Sequence, residues 1–185
     1  MATPNADRVA VGSALVTGAI FVAPTSVPLP TDATTALAAG YNCIGFTSDE
    51  GIVITENSSS NSLRVWEGLA EVRTTRTEYT EQTSFTPVEC NQEVAELTWG
   101  EDHVTVDSNS GALAISHHGG TLEPVHTVIE TVPYKGAVAR YCAKSQLTER
   151  GDTTLNGQDY SGRQLTFNNL AVNGVTMYEY IAVTG

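Results

Sequence analysis

Residues 71–86, EVRTTRTEYTEQTSFT, constrain the fold more than any other part of this sequence. The stretch is rich in threonine and contains no glycine or proline, and β-branched and aromatic side chains favour a pleated strand. A strand of this length spans about 50 Å, far more than the common strand of five or six residues. Proline cannot donate a hydrogen bond to a strand ladder. We therefore predict one long strand that ends at Pro87.

Neither face of this predicted strand is apolar, whereas a half-buried strand has one apolar face. Strict alternation places Glu71, Arg73 and Glu81 on one face and Arg76 and Glu78 on the other. A single bulge would exchange the two faces. We expect this strand to meet water on one side and a partner chain or a channel on the other.

The next segment, residues 91–99 with the sequence NQEVAELTW, predicts a short amphipathic helix. Asn91 is a favourable N-cap residue, and Gly100 is a favourable residue just after a helix. Val94, Leu97 and Trp99 fall on one apolar stripe, so we predict that these three side chains dock the helix on the rest of the domain.

Length and composition indicate one domain of the all-β class. The 185 residues suffice for a sizeable core, and only 16% of them are charged. The formal net charge of −12 and the pI of about 4.5 exclude a protein that reads DNA sequence. The same negative charge is compatible with a protein along which DNA moves without being bound.

The rest of the chain alternates short apolar runs with turn residues. We predict loops at residues 23–40, at the serine- and asparagine-rich residues 57–61, and at 149–162, a turn at 48–51, and a bulge at Asn168 and Asn169. Asn173-Gly174 is the strongest hairpin signal. The predicted strands are residues 8–22, 41–47, 52–56, 104–106, 112–116, 125–132, 138–147, 164–172 and 175–183.

No motif for catalysis, a cofactor or a metal emerges from the sequence. All four histidines fall within residues 103–126 beside several acids, but their spacing matches no ligand motif. There is no G-x-S-x-G elbow, no P-loop and no C-x-x-C. We predict no enzymatic activity and no metal, and we expect three buried free thiols in a reducing compartment at Cys43, Cys90 and Cys142.

Residues 9–23 resemble the apolar region of a secretory signal peptide, with a cleavage site after Ala23. Asp7 beside Arg8 removes the net positive charge that such a peptide carries before its apolar region. Glycine, serine and threonine also interrupt the run. We favour a structural strand here, and we predict no membrane insertion because no apolar run approaches about 20 residues.

The order of these parts resembles the major tail proteins, or tail tube proteins, of long-tailed non-contractile bacteriophages (siphophages). The resemblance covers nearly the whole chain and is weakest at residues 101–120. It is carried by the opening NADRVAVGSALVTGAIFVAP, then PLPTDATTAL, CIGFTSDEGIVITE, RVWEG, the threonine-rich strand, NQEVAELTWG and RQLTFNNLAVNG.

The resemblance implies a β-sandwich with one flanking helix, forming a single tail tube domain over residues 1–185. Residues 1–7 would be an N-terminal arm, and residues 23–40 and 56–67 extended loops between rings. Six copies would join their sheets into an inner barrel, and the rings would stack into the tube that conducts the genome. Glu71, Arg73 and Glu81 would line the lumen, with Arg76 and Glu78 between subunits.

The implied partners are further copies of the chain, the tape measure protein, and the tail terminator and tail tip proteins. Viral DNA would pass without specific binding. The protein would assemble in the host cytoplasm and reside in the virion tail. Two other hypotheses remain open at this point: a secreted or surface β-sandwich adhesin, and another virion part such as a capsid decoration protein or a tail terminator.

Overall fold

The computed structural model describes residues 10–14, 18–66, 69–134, 137–153, 155 and 161–183. The predicted arm at residues 1–7 and the Asn156-Gly157 pair lie outside the described residues. Within them are one α-helix, α1 (Gln92–Trp99), and a 3-10 turn at Glu101–His103. The strands are β1 (Ser13–Ala14), β2 (Ile20–Pro24), β3 (Asn42–Cys43), β4 (Thr47–Arg64), β5 (Glu71–Pro87), β6 (Val104–Val106), β7 (Leu113–Ile115), β8 (Val125–Val132), β9 (Ala137–Thr153), β10 (Arg163–Leu170) and β11 (Met177–Val183).

Nine of the described strands form one antiparallel sheet in the order β3-β2-β8-β9-β10-β5-β4. β1 also pairs with β8, and β11 also pairs with β9. β6 and β7 form a separate two-stranded ribbon beside α1. The prediction of an all-β protein with one flanking helix is therefore confirmed.

The sheet curls until its two ends meet. β3 and β4 stand at opposite ends of the strand order, so a flat sheet would separate them by about 29 Å. Only three residues join them along the chain, which limits the distance to about 15 Å. The segment after β5 holds this connection, because Phe46 N donates to Glu89 Oε1 at 2.7 Å and Asn91 Nδ2 donates to Ile44 O at 3.0 Å. One curled sheet, and not two separate ones, therefore provides the layers of the expected sandwich.

The curled sheet encloses the hydrophobic core. Ile20 and Ile129 come from one end of the strand order, and Phe85 from the other. The rings of Phe85 and Phe167 stack with their centres 5.4 Å apart. This shared core makes the curvature energetically favourable, because burial of each large apolar side chain contributes about 1.5–3 kcal/mol.

The predicted helix is present as α1. The Asn91 side chain accepts a hydrogen bond from Val94 N at 2.8 Å, and Gly100 at φ 93° ends the helix by donating to Glu96 O. Leu97 is buried in the core, and Val94 packs against it. Trp99 lies at the last helical position with its ring against His117.

We predict that Leu97→Ala lowers the free energy of unfolding of the isolated subunit by about 2–5 kcal/mol, because it leaves a cavity in the core. Chemical denaturation followed by circular dichroism measures this change. The exposed Gln92, on the same helix, provides the control, and Gln92→Ala should cost less than about 1 kcal/mol. An unchanged stability for Leu97→Ala would mean that the helix belongs to an interface and not to the core.

The proline-rich loop between β2 and β3 is held against the sheet by Arg140. This buried side chain forms an ion pair with Glu130 at 2.5 Å and donates to the carbonyl oxygens of Asp32 and Thr35 at 2.8 and 2.9 Å. The carbonyl of Val27 lies 2.7 Å from His126 Nδ1. These contacts hold the loop against the sheet within a single subunit.

We predict that Arg140→Met releases this loop. The substitution leaves Glu130 largely buried without its partner, which costs about 3–5 kcal/mol. The double variant with Glu130→Leu should recover most of the stability yet keep the loop mobile. Hydrogen exchange at residues 32–36 measures the release, and slow exchange in the stable double variant would contradict the role of Arg140 as a clamp.

Two predicted interruptions of the strands are absent. The turn predicted at residues 48–51 is instead an irregularity inside β4. Thr47 pairs with Pro87 and Ile52 with Phe85, so the four residues 48–51 lie opposite the single residue Thr86, and Gly51 adopts φ 76°. The loop predicted at residues 57–61 is also wrong, because β4 continues to Arg64 through the serines. Pairing with β5 overrides the weak strand preference of serine and asparagine.

The end of the chain differs from the predicted hairpin. Asn173 and Gly174 adopt φ 54° and 82° in a tight turn closed by Val172 and Val175, as the sequence indicates. However, Leu170 pairs with Lys144 and Met177 with Ala143, so β10 and β11 follow the same edge of β9 one after the other. The turn is a protrusion between two collinear strands.

The predicted bulge at Asn168-Asn169 is also wrong. Both residues pair regularly with β9, and the two register shifts in this strand lie between Arg163 and Leu165 and between Thr166 and Phe167. Asn169 continues the buried face of Leu165 and Phe167 as a polar residue, with hydrogen bonds to Thr83 and Ser145. The alternation of buried residues thus continues unbroken through Leu165, Phe167 and Asn169. It looks interrupted in the sequence only because Asn169 is polar.

The first predicted strand and the thiols also differ in detail. β1 and β2 are two short strands against β8, with Gly18 at φ 111° between them. Ile20 is fully buried, as expected for a structural segment. Cys142 is buried, and burial raises the pKa of its thiol to about 12, whereas Cys90 is exposed, contrary to the prediction.

Candidate assembly surface

β4 and β5 extend beyond the domain as a two-stranded arm made of residues 56–64 and 71–80, with residues 65, 66, 69 and 70 described at its tip. β10 pairs with β5 only over residues 82–85, so the two arm strands pair with each other alone among the described residues. Every described side chain of the two arm strands is exposed. The nine residues of the arm in β4 and the ten in β5 span about 30 Å, and a two-stranded ribbon alone is marginally stable in water. The arm therefore requires a partner.

The tip of the arm is apolar. Trp66 is 92% exposed and Leu69 is 71% exposed, and Leu63 and Val72 are exposed beside them. Val65 N donates to Ala70 O at 3.0 Å, which closes the tip and holds these side chains outward. A cluster of large exposed apolar side chains marks an interaction site.

Two register shifts rearrange the faces of the arm. The pairing steps from Ser59–Glu78 to Ser60–Arg76, and again from Leu63–Arg73 to Arg64–Glu71. An extra residue of β5, first Thr77 and then Val72, therefore stands without a partner at each shift. The shift at Thr77 places Arg76 on the same face as Tyr79, and the Arg76 guanidinium lies 5.2 Å from the Tyr79 ring centre.

The predicted division of the charged residues is therefore wrong in part. The face of Glu71 and Glu81 now includes Arg76, whereas Arg73 moves to the face of Glu78. These shifts could not be predicted from alternation, because the threonines and arginines beside them are polar and both faces of the arm are exposed. The sequence carries no glycine at either position that would signal a bulge.

Glu71 and Glu81 have different environments. Glu71 is exposed, and hydrogen bonds from the hydroxyl groups of Thr74 and Ser62, each 2.7 Å long, lower its pKa. Glu81 is only 6% exposed and accepts a hydrogen bond from the Thr176 hydroxyl. This burial makes Glu81 a less favourable lumen carboxylate than the exposed Glu71. The lumen roles of Glu71, Arg73 and Glu81 stay predictions, as do the roles of Arg76 and Glu78 between subunits.

A groove of about 450 Å³ lies where the arm leaves the domain. Glu56 and Tyr79 line it from the arm, and Glu81, Tyr141 and Glu179 line it from the rest of the sheet. Burial, followed by a hydrogen bond to Glu179, raises the pKa of Tyr141. The lining is mixed polar and apolar, as expected for a surface that contacts another protein.

Strand edges remain open at several places in the described part of the chain. β4 has a ladder partner only in β5, and β11 has one only in β9. Ile181 and Val183 are exposed on β11, and Val53 is exposed on β4. Open edges present unpaired backbone donors and acceptors to other chains. Edge-to-edge pairing with another copy would satisfy them.

The histidine-bearing segment forms two ring stacks. His103 stacks on His118 at 4.3 Å, and His117 stacks on Trp99 at 3.9 Å, measured between ring centres. His126 lies apart, beneath the loop at Val27. No group of three or more metal-ligating side chains comes together among residues with described positions.

A curled β domain with a free arm, an apolar tip and open strand edges is typical of a structural protein that assembles with other chains. The family model described as phage tail tube protein matches residues 2–184. The chain therefore belongs to the phage tail tube protein family and is a structural component of the virion tail. The search of curated proteins finds no match. No helix in the described ranges is long and apolar enough to span a membrane.

Proposed function

We propose that six copies of this protein close into a ring, and that the rings stack into the tube through which the phage genome leaves. The two-stranded arm is the observation that carries this proposal. It has no partner within the described subunit, and its length of about 30 Å reaches well beyond the domain.

The open strand edges supply the contacts that close the ring. The free edge of β4 in one copy faces the free edge of β11 in the next, and their pairing extends the sheet from subunit to subunit. Subunits that join through two different surfaces form a closed ring when the rotation between neighbouring copies divides a full turn evenly. The ring then leaves few unpaired backbone groups.

The net charge fits a conduit for DNA. A ring of six copies carries six times −12, a formal charge of −72. Such a wall repels phosphate, so DNA passes without being held. The tape measure protein would occupy the bore before the DNA, and the tail terminator and tail tip proteins would cap the tube. We place assembly in the host cytoplasm. Family membership favours this function over an adhesin, a capsid decoration protein or a tail terminator.

Electron microscopy of the purified protein tests this proposal. Hollow rods of one diameter are expected, because stacked rings lengthen along one axis only. The Trp66→Ser and Leu69→Ser double variant should stay as subunits or single rings, since it removes the apolar tip. Val106→Ser, on the β6–β7 ribbon outside the arm, is the control for loss of an exposed apolar side chain. Wild-type protein that never forms rods would contradict the proposal.

Hydrogen exchange gives a second prediction with an internal control. Arm residues 56–64 should exchange fast in the isolated subunit, because a two-stranded ribbon opens readily. They should exchange slowly in assembled tubes. Residues 32–36, held by Arg140, should exchange slowly in both states. Equal rates for the arm in both states would show that the arm is not buried by assembly.

A further inference from the structure

The ribbon of β6 and β7 is attached to the domain by few contacts. Among the described strands it pairs with none of the large sheet, and none of its residues belongs to the described core. Each of its strands has three residues, and a two-stranded ribbon alone is marginally stable in water. The contacts at its base therefore decide whether it stays against α1.

Fixed points lie on both sides of this ribbon. Gly100 ends α1 on one side. On the other side Leu122 packs against the core, and its carbonyl oxygen accepts a hydrogen bond from Gln146 Nε2 at 2.8 Å. Residues 101–121, which we name the ribbon segment, can therefore move without disturbing the sheet.

A pair of stacked imidazoles closes the base of the ribbon segment. His103 precedes β6 and His118 follows β7, and their ring centres lie 4.3 Å apart with the ring planes 14° from parallel. The carbonyl oxygen of His103 also accepts a hydrogen bond from Ser116 N at 2.9 Å. Side chains and backbone thus join the two ends of the ribbon at the same place.

The structure holds His118 in its uncharged form. Its Nδ1 accepts a hydrogen bond from Gly120 N at 3.1 Å, so this nitrogen carries no proton. The ring also lies directly on the backbone of Gly120, where an added Cβ would come within 2.1 Å of His118 Cε1. Protonation of Nδ1 would replace the acceptor by a donor that faces another donor.

Protonation of both rings would also bring like charges together, which disfavours the charged form. The cations nearby come from three other elements. His117 stacks on the Trp99 ring of α1 at 3.9 Å, and the guanidinium carbons of Arg150 in β9 and Arg163 in β10 lie 4.9 and 5.1 Å from the same ring centre.

The acids of the surrounding elements do not neutralise the pair. No carboxylate in the described ranges forms an ion pair or a hydrogen bond with His103 or His118. Three of these acids have partners elsewhere: Glu89 accepts from Phe46 N, Glu96 from Gln92 Nε2 and Asp107 from Asn109 N. The other acids on these elements are Glu93, Glu101, Asp102 and Glu123.

We propose that the His103–His118 pair is an acid-sensitive latch, which holds the ribbon segment against α1 at neutral pH and releases it as the pH falls. Histidine as a residue type changes its charge between about pH 8 and about pH 5. Because the latch requires uncharged rings, its contribution to stability is complete at the upper end of this range and is lost toward the lower end. The latch lies within one subunit, so it is independent of ring closure and of stacking.

Hydrogen exchange followed by NMR tests the release, with each rate divided by the intrinsic rate at the same pH. Between about pH 7.5 and about pH 5 the amides of Ser116 and of the ribbon should lose about tenfold in protection, while those of β9 keep theirs. His118→Gln cannot be protonated, so its ribbon should respond little to pH. His126→Gln, which removes a histidine outside the latch, should keep the acid response. Equal protection of the wild type at both pH values, or a full acid response of His118→Gln, would overturn the proposal.

Gly120→Ala tests the geometry without changing any titratable group. The added Cβ displaces the His118 ring, so the ribbon amides should lose about tenfold in protection already at neutral pH. Gly119→Ala is the matched control, because a Cβ at Gly119 meets nothing within 4 Å. The same protection in both variants would contradict the latch.

The nitrogen chemical shifts of the imidazoles provide a measurement that needs no variant. At neutral pH the proton of His118 should be on Nε2, because Nδ1 accepts the bond from Gly120. A proton on Nδ1 would overturn the proposal even if every variant were unstable. Melting temperatures at neutral pH establish that each variant is folded.

Discussion

The ladder of hydrogen bonds along β9 supports the rest of the structure. β8 pairs with one edge of this 17-residue strand, and β11 and β10 share the other edge in succession. Since both halves of the sheet depend on the same strand, β9 must bend as the sheet curls. The register shift opposite Thr166 and Phe167 lies in the half of β9 that pairs with β10. Bulges of this kind increase local twist, which lets a continuous sheet close around its core.

The helix and several strands could be predicted from sequence, because their signals are local. Asn91 and Gly100 set the limits of α1, and Pro87 ends β5. The bounds of β6, β7 and β8 also follow from short apolar runs between turn residues. In these places neighbouring residues, and not distant ones, decide the backbone conformation.

The arm could not be predicted in full, because distant contacts decide it. Residues 57–61 have the composition of a loop, yet pairing with β5 holds them in a strand. Thr77 and Val72 have no partner in β4, because the arm contains more residues in β5 than in β4. The alternation of residue types along one strand carries no information about the length of its partner. The contact of Arg150 and Arg163 with the Trp99 ring also escaped prediction. Trp99, Arg150 and Arg163 are far apart in sequence, and the pairing of β9 with β10 brings the two arginines together.

The composition of the arm suits a surface that must be soluble before assembly and buried afterwards. Serine, threonine and asparagine dominate its strands, and their hydroxyl and amide groups exchange water for protein partners at modest cost. The arm strands also carry six charged residues, three of each sign, and each of these would incur a larger desolvation penalty if it were buried without a partner. An apolar arm would pair indiscriminately through its open edge. The large exposed apolar side chains are instead concentrated at the tip, at Leu63, Trp66, Leu69 and Val72. Backbone pairing between β4 and β5 thus supplies the reach of the arm, and in the proposed tube the apolar tip supplies its contact.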